Sequence, residues 1–228
     1  MTSNKKAIVV LSGGLDSTIL LYHVIKNLNR DVTALSFEYG QRHHRELQFA
    51  LKHCSLLNIP HRLMKINLPA SSKCSLLNTN IDVPHIKDVL GDPQPNTYVP
   101  NRNMMFLSMA ASVAEIEEAE EVYYGAAEID THSGNWDCSL SFLHQMNQIL
   151  SLNRRKPISI VAPFIELSKV NIIKLGDSLQ VPFAYTHTCY RGEDKACGKC
   201  SSCSSRIKGF LDAKIADPLE YEISIKWL

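Results

Sequence analysis

The side chains best suited to chemistry in the first part of the chain are small and polar, and they lie together over residues 12–18. An apolar, largely β-branched run at 7–11 predicts a buried strand, and Ser12-Gly13-Gly14 follows it directly. Glycine lets a backbone turn sharply there and approach a ligand closely. Asp16-Ser17-Thr18 then begins a predicted amphipathic helix, so amide N–H groups and the positive end of the helix dipole converge on one point. The pattern predicts an anion site, most naturally for phosphate; the alternative is an ordinary turn with a capped helix.

A second chemical cluster consists of four cysteines within fifteen residues, spaced C-x7-C-x2-C-x2-C: Cys189, Cys197, Cys200 and Cys203. Four thiolates satisfy tetrahedral zinc, and two-residue spacers are typical of such sites. Because four protein ligands leave no open coordination position, the spacing predicts a structural Zn²⁺. An iron–sulfur cluster is the alternative metal centre, and four unrelated buried thiols are the remaining interpretation.

The elements that must position these residues alternate between strand and helix. Strands are predicted at 7–11, 32–37 and 61–66, with helices between them, and such alternation indicates a parallel sheet with helices on both faces. Ligands in such folds bind beyond the carboxyl ends of the strands, where Ser12 and Glu38 both lie.

The rest of the sequence continues this alternation. Helices are predicted at about 104–119, 139–150 and from Ser168-Lys169 onward, and strands at 121–125 and 158–162. Residues 67–97 contain several prolines and predict a long irregular segment, either a substrate-side flap or a disordered loop. The closing residues 221–228 look strand-like. We expect a main domain over 1–184 and a zinc-binding segment over 185–228 that packs on it.

Composition limits the class of protein. The 228 residues are 45% hydrophobic and 21% charged, which is typical of a globular chain with a substantial core. A formal charge of +1 argues against an electrostatic nucleic-acid binder. Neither a secretory leader nor an 18-residue apolar run is present, and the seven cysteines are odd in number, so we expect a cytoplasmic protein without a membrane span.

The string Ser12-Gly-Gly-Leu-Asp-Ser17 resembles the pyrophosphate loop of the PP-loop ATP pyrophosphatases, and it is not a Walker A loop because no Gly-Lys-Ser/Thr follows. The resemblance implies a Rossmann-like α/β fold of the adenine nucleotide alpha hydrolase type. It also implies that ATP with Mg²⁺ is split into AMP and pyrophosphate, with the loop holding the pyrophosphate. The residues expected to bind this cofactor are Leu11, Ser12, Gly13, Gly14, Leu15, Asp16, Ser17, Thr18, Ile19, Leu20 and Leu21.

Motifs along nearly the whole chain resemble the 7-cyano-7-deazaguanine synthases of queuosine biosynthesis. They are Phe37-Glu-Tyr-Gly-Gln-Arg-His43, Val99-Pro-Asn-Arg-Asn103, Leu167-Ser-Lys169, Thr188-Cys-Tyr190, Cys197-Gly-Lys-Cys-Ser-Ser-Cys203, Lys208-Gly-Phe210 and Asp217-Pro218. The resemblance implies that ATP adenylates 7-carboxy-7-deazaguanine and that ammonia displaces AMP to give an amide. A second ATP then adenylates the amide, and loss of AMP leaves a nitrile.

The resemblance also suggests individual roles. Ser12, Asp16, Ser17, Arg102 and Lys169 are expected to be catalytic; Glu38, Gln41, Asn103 and Asp137 are expected to bind the base. Four of these have open alternatives. Asp16 either caps its helix or holds Mg²⁺, and Asn103 either caps the following helix or contacts substrate. Arg102 either pairs with a phosphate or carboxylate or is a solvated surface residue, and Lys169 is either directed at phosphate or exposed on the surface. Small molecules are the expected partners, without direct nucleic-acid binding, and family relatives suggest a homodimer.

The sequence departs from the family pattern in the loop before Ser139. The family typically has Ser-Gly-Tyr-Pro-Asp-Cys-Arg, whereas this chain has Ser133-Gly-Asn-Trp-Asp-Cys-Ser139, and Glu38 replaces a common Asp. Trp136 is suited to stacking on a flat base. These changes leave the base, or the stopping point of the reaction, open.

Three hypotheses follow from the sequence. The first is the nitrile-forming ligase, and the second is a related PP-loop enzyme that stops at the amide or thiolates tRNA through a cysteine such as Cys54, Cys74 or Cys138. The third is a zinc-knuckle nucleic-acid module, against which the near-neutral charge argues.

Overall fold

A computed structural model describes residues 4–69, 73–92, 94–127 and 136–227. Within them, five strands form one parallel sheet: β1 (Lys6–Val10), β2 (Asp31–Glu38), β3 (His61–Lys65), β4 (Glu121–Tyr123) and β5 (Ser159–Val161). Their order is β3-β2-β1-β4-β5. The strand order reverses between β1 and β4, which places the ligand crevice of such a sheet at the carboxyl ends of these two strands.

The described helices are α1 (Leu15–Lys26), α2 (Arg45–Leu57), α3 (Arg102–Ile116), α4 (Leu140–Leu150), α5 (Lys169–Ser178) and α6 (Ser201–Ala213). Short 3-10 turns occur at Ile86–Asp88, Trp136–Cys138 and Phe183–Tyr185.

Alternate residues of β1 face two separate hydrophobic clusters. Ala7 and Val9 pack with residues of α1, α2, α5 and α6, whereas Ile8 packs with residues of α3 and α4. This two-residue alternation is the pleat of a strand covered on both faces. The predicted α/β fold, a parallel sheet with helices on both faces, is therefore confirmed.

The predicted element boundaries are close to the observed ones but differ at the ends of α3 and β4. The helix expected from about Met104 begins two residues earlier, after Asn101, whose backbone is left-handed. It ends at Ile116, just before Glu118, which is also left-handed, so the predicted end at Ala119 is wrong. The strand expected to reach Gly125 ends at Tyr123.

The described part of the long segment 67–97 is anchored at several points. The Arg42 amide donates to the Leu76 carbonyl, the Ser75 amide donates to the Asn96 carbonyl, and the Ile86 amide donates to the Lys199 carbonyl. Val83 is buried against the four cysteines. These contacts tie the segment to the start of α2 and to the C-terminal segment.

The strand-like tail predicted at 221–228 is not a strand of the sheet over its described residues. A single parallel bridge joins Tyr221 to Ala196, and the residues that follow as far as 227 form no ladder.

Among the described residues no helix has both the length and the apolar character to cross a membrane.

Candidate active site and metal centre

The glycine-rich loop connects β1 to α1 and is held by its own hydroxyl groups. The Gly14 amide donates to Ser12 Oγ at 3.1 Å, and the Ser12 amide donates to Ser17 Oγ at 3.2 Å. The two serine hydroxyls lie 3.0 Å apart. Gly14 is the N-cap of α1 and has no side chain to cap the amides of the first helical turn, so these amides are suited to an anion.

Two glycines allow neighbouring backbone to approach this loop closely. Gly13 has a φ of +87°, and a Cβ there would overlap the Glu46 carbonyl oxygen in the first turn of α2. A Cβ at Gly125, two residues after β4, would lie 3.2 Å from the Ser17 amide nitrogen. The loop therefore lies between the start of α2 and the end of β4, in the expected crevice.

Asp16 forms an ion pair with Lys169, and this brings together two residues 153 positions apart. Lys169 Nζ donates to Asp16 Oδ2 at 2.7 Å, and Lys169 is almost completely buried. The alternative in which Asp16 caps α1 is wrong, because Gly14 occupies the N-cap position. Asp16 Oδ1 and Thr18 Oγ1 are buried without a hydrogen-bond partner among the described residues. A buried, unsatisfied carboxylate oxygen at a phosphate loop suits Mg²⁺, which prefers oxygen ligands.

Lys169 is held in place by the helix that follows the cysteines. Lys169 is the first residue of α5, capped by Ser168, whose hydroxyl accepts from the Asn171 amide. A Cβ at Gly209 of α6 would lie 2.6 Å from Lys169 Cγ and 2.7 Å from Ile173 Cδ1. The absence of a side chain at Gly209 thus lets α6 pack directly on the stem of Lys169.

The other members of the predicted cofactor-binding stretch have a different task. Five of its side chains are at most 1% exposed and belong to the hydrophobic core, namely Leu11, Leu15, Ile19, Leu20 and Leu21. Their contribution is to fix the position of the loop and of the helix, since these side chains face the core.

Arg102, in the first turn of α3, lies between the loop and the region expected to bind the base. Its Nη1 donates to the Tyr39 hydroxyl at 3.5 Å. Burial disfavours its charge, but Tyr39, Tyr190 and Asp137 more than offset this and raise the pKa of Arg102. Arg102 therefore stays a cation, available to a phosphate or a carboxylate in forked geometry.

Asn103 and Asp137, both predicted to bind the base, are in direct contact. The Asn103 amide donates to Asp137 Oδ2 at 3.3 Å, and Asn103 Nδ2 donates to Cys138 Sγ at 3.5 Å. Asn103 does not cap α3, because the helix starts one residue earlier and its N-cap is Asn101. Burial raises the pKa of Asp137, although Arg102 and the Asn103 amide oppose the rise.

Trp136, next to Asp137, is 44% exposed, and its Nε1 donates to the Tyr98 hydroxyl at 3.3 Å. Its neighbour Asn135 and the rest of the loop at 128–135 lie outside the described residues.

Glu38 and Gln41 are at the carboxyl end of β2 but have other partners. Glu38 pairs with Lys65 at 3.0 Å. Gln41 Oε1 accepts from the Tyr39 amide at 2.7 Å, and its Nε2 donates to the Phe37 carbonyl at 3.1 Å. Gln41 therefore holds the turn after β2, and its role toward a base stays a prediction.

Two titratable residues near the loop, the buried His43 and the partly buried Glu46, were not singled out as site residues. Both follow Gln41 closely in the sequence, and the charge of Arg102 lowers the pKa of each. The sequence gives little signal of this role, because a histidine or glutamate at the start of a helix is usually solvated.

The four predicted metal ligands converge. The sulfur atoms of Cys189, Cys197, Cys200 and Cys203 lie within 4.8 Å of one another, and all four residues are buried. The Lys199 and Cys200 amides point at Cys197 Sγ, each at 3.4 Å. Cys200 is the N-cap of α6, where the helix dipole favours a thiolate. The cluster can hold a metal ion, and its chemistry suits zinc or iron.

This cluster is joined to the glycine-rich loop by a short stretch of backbone. The His187 amide, two residues before Cys189, donates to the Gly13 carbonyl at 3.2 Å. Next to it, the Thr186 hydroxyl accepts from Arg206 of α6 at 2.8 Å, and Arg206 forms a buried bidentate pair with Asp217 at 2.6 and 2.8 Å. The glycine-rich loop and the cysteine cluster therefore share one continuous support.

Comparison with known proteins gives a family match and a fold match. The family described as "Queuosine biosynthesis protein QueC" matches residues 6–214. A 7-cyano-7-deazaguanine synthase from Caldicellulosiruptor saccharolyticus is 41% identical over 97% of this chain and 98% of its own length. Another from Picrophilus torridus is 44% identical over 95% of this chain and 92% of its own.

Among solved structures, the U34-tRNA thiolase NcsA from Methanococcus maripaludis, determined with its 4Fe-4S cluster, gives a TM-score of 0.51 at 17% identity. The match covers 92% of this chain and 66% of the thiolase, slightly less than two thirds. At this identity the likeness concerns the fold alone.

Proposed function

Since the chain belongs to the family of queuosine biosynthesis proteins described as QueC, we propose that it is a 7-cyano-7-deazaguanine synthase. It is an ATP-dependent carbon–nitrogen ligase that converts 7-carboxy-7-deazaguanine and ammonia to the nitrile through adenylated intermediates. The observation that carries the chemistry is the Asp16–Lys169 pair at the glycine-rich loop, with Asp16 Oδ1 buried and unsatisfied among the described residues.

The loop and its two charged residues handle the phosphates. The amides after Gly14 and the hydroxyls of Ser12 and Ser17 bind the departing pyrophosphate, because preorganised donors stabilise charge as it develops. Lys169 adds a fixed cation, and Asp16 would hold Mg²⁺, which would supply positive charge to neutralise the phosphates.

The residues around Arg102 receive the base. Arg102 pairs with the carboxylate that is to be adenylated or with the α-phosphate, and it is close enough to Tyr39 and Asp137 to remain oriented. Asp137 and Asn103 offer hydrogen-bond partners to the guanine-like edge, and Trp136 offers a ring for stacking.

The four cysteines bind a structural zinc ion in this proposal. Four buried sulfur ligands close the coordination sphere, so the metal contributes to folding and not to the chemical step. Residues 185–228 then form a zinc-binding segment on the main domain, to which Phe210 and Ala213 contribute core side chains. A homodimer, a cytoplasmic location and the absence of direct nucleic-acid binding belong to the same proposal.

Mass spectrometry of the base tests the function. The protein is incubated with ATP, Mg²⁺, ammonium and 7-carboxy-7-deazaguanine, and released pyrophosphate is counted. We expect the nitrile with two pyrophosphates per base. The amide with one pyrophosphate would show a shortened reaction and direct attention to Trp136, and an unchanged base would contradict the proposal.

The same assay separates the ligase from a thiolating enzyme. Thiolation needs a reactive cysteine at the site, whereas Cys54 and Cys74 are each 2% exposed and Cys138 is also buried. Burial raises the pKa of Cys54 to about 11, which keeps it an unreactive thiol. Replacing each of the three with alanine should therefore leave nitrile formation in place.

A further inference from the structure

We propose that Glu46 is a neutral carboxylic acid of the pyrophosphate site, which hydrogen-bonds the phosphates of ATP and gives its proton to the pyrophosphate as it leaves. This inference deepens the proposed function and rests on it for the identity of the acceptor, but not for the interaction of Glu46 with ATP.

The position of Glu46 follows from the close packing of α2 on the loop. Glu46 is the second residue of α2, and its backbone carbonyl lies where a side chain at Gly13 would be. A Cβ at Gly14, the N-cap of α1, would lie 3.7 Å from Glu46 Oε2. The Ser12 hydroxyl is near enough to the Glu46 carboxyl to lower its pKa. Glu46 thus lies beside the same two residues whose amide and hydroxyl groups form the anion cradle.

An ionised carboxylate at this point would repel the phosphates that the cradle exists to bind. Two like charges this close repel each other, and the repulsion is stronger in a partly buried site than in water. A protonated carboxyl has the opposite effect, because its O–H donates a hydrogen bond to a phosphate oxygen. The geometry therefore favours ATP binding only while Glu46 keeps its proton.

The surroundings of Glu46 hold that proton near neutral pH. Burial raises the pKa of Glu46 to about 8, and the nearby Cys189 acts in the same direction. Arg102 on α3, the Ser12 hydroxyl and Arg206 on α6 act in the opposite direction without cancelling the rise. The Arg206 charge is already neutralised by Asp217, and the Lys169 charge of α5 is paired with Asp16.

The adenylation step gives the proton a destination. A carboxylate oxygen of the base attacks the α-phosphorus of ATP, the bond from that phosphorus to the α,β-bridging oxygen breaks, and the electron pair stays on the pyrophosphate. The pyrophosphate has gained a negative charge and is a stronger base, so it takes the Glu46 proton. Glu46 is then a carboxylate that repels the product, and it recovers a proton from solvent after the pyrophosphate has left.

Glu46→Gln is the informative variant, because the amide still donates a hydrogen bond but has no acidic proton. ATP affinity is measured by calorimetry without base from about pH 7 to about pH 9, and pyrophosphate formation is then measured with base. The exposed Glu166→Gln is the control.

We expect ATP affinity of the unaltered protein to fall by roughly tenfold or more over this range, since one like charge appears at the cradle. The affinity of Glu46→Gln should change much less, and its pyrophosphate-forming kcat should fall about 100-fold with little change in the KM for ATP, the size expected for loss of a general acid. The control should match the unaltered protein in both measurements.

Equal pH dependence of ATP affinity in the unaltered protein and in Glu46→Gln would overturn the inference, as would an undiminished kcat. Infrared spectroscopy supplies a test that needs no folded variant. The unaltered protein should show the C=O band of a buried protonated carboxyl that disappears as the pH rises through about 8, and its absence at neutral pH would also overturn the inference. Failure of the base to react would contradict the ligase function but leave the ATP and infrared measurements decisive for Glu46.

Discussion

The four-cysteine cluster and the glycine-rich loop lie in opposite halves of the sequence, and they differ in how much of the chain is needed to build each. The cluster takes all its ligands from residues 189–203, and the start of α6 supplies both a cap and two of the sulfur atoms. The loop has its amides, its hydroxyls and Asp16 in residues 12–18, but its cations come from α3 and α5 and its packing surface comes from α2.

This difference separates two ways in which a site can fail. The cluster is a local unit, and removal of one ligand leaves the others buried without a metal to bind. The loop is assembled from distant segments, so single changes there should reduce activity by degrees while the fold remains. The His187–Gly13 backbone bond and the Gly209–Lys169 contact connect the two regions. We therefore expect loss of a metal ligand to disturb the loop as well, whereas a side-chain change in the loop should leave the cluster intact.

The largest effect is expected from Cys200→Ala. Loss of one of four sulfur ligands should abolish stoichiometric metal binding and, because structural metal contributes directly to folding free energy, lower the midpoint of thermal unfolding strongly. ATP binding should be lost with it, through the shared support at 186–189. Elemental analysis, a thermal melt and ATP titration measure the three consequences.

Cys74→Ala is the control, because it removes a buried thiol outside the cluster. It should keep its metal and lose only about 1–2 kcal/mol of stability, the ordinary cost of a small core truncation. If Cys200→Ala kept both its metal content and its melting midpoint, the structural role of the cluster would be wrong.

The next largest effect concerns activity alone. Lys169→Gln should reduce pyrophosphate release by about 10²–10³-fold, because a fixed cation facing the developing charge is lost. Asp16→Ala should reduce pyrophosphate release by a similar factor, while the fold remains. The double variant should be little worse than either single one, since paired groups that act as a unit are not additive.

Lys174→Gln, a change to an exposed lysine of the same helix, should leave the rate unchanged. Additive losses in the double variant would show that Asp16 and Lys169 act independently, and full turnover of Asp16→Ala would disprove the assignment of the loop.

The sequence alone predicted the parallel sheet, the loop between a strand and a helix, and the convergence of the four cysteines, because each depends on a local pattern: strand–helix alternation, Ser-Gly-Gly after a strand, and cysteines two residues apart. It left two roles open for Asp16, and only the position of Gly14 at the N-cap decided against the capping role. The Asp16–Lys169 pair could not be derived from local rules, since it depends on how α5 and α6 stack against α1.

Glu46 and His43 show the limit of local patterns most directly. In the sequence they are polar residues at the start of an amphipathic helix, a position that is usually solvated. In the structure His43 is buried and Glu46 is partly buried, because α2 packs on Gly13 and the turn at Gly192 packs on His43, where a Cβ at Gly192 would lie 2.7 Å from His43 Cα. Because the segment that buries His43 is 149 positions away along the chain (192 minus 43), the local sequence does not indicate this burial.

The smallest predicted effect tests this junction between the two regions through pH. Burial, reinforced by Arg102, His187 and His44, lowers the pKa of His43 to about 3, so His43 remains neutral in the folded protein below the pH at which an unfolded histidine takes up a proton. The unfolded state therefore binds more protons between about pH 6.5 and about pH 3, and His43 reduces stability progressively as the pH falls through this range.

His43→Gln cannot be protonated at this position. At neutral pH its denaturant midpoint should be lower than that of the unaltered protein, and at about pH 5 it should approach or exceed it. Release of metal from thiolates in acid affects both proteins and cancels in the comparison. The exposed His144→Gln, a change on α4 that does not affect His43, should follow the unaltered protein at every pH. Parallel curves for His43→Gln and the unaltered protein would mean that His43 is accessible to protons in the folded state. The two regions would then be less tightly joined than the packing of Gly192 on His43 implies.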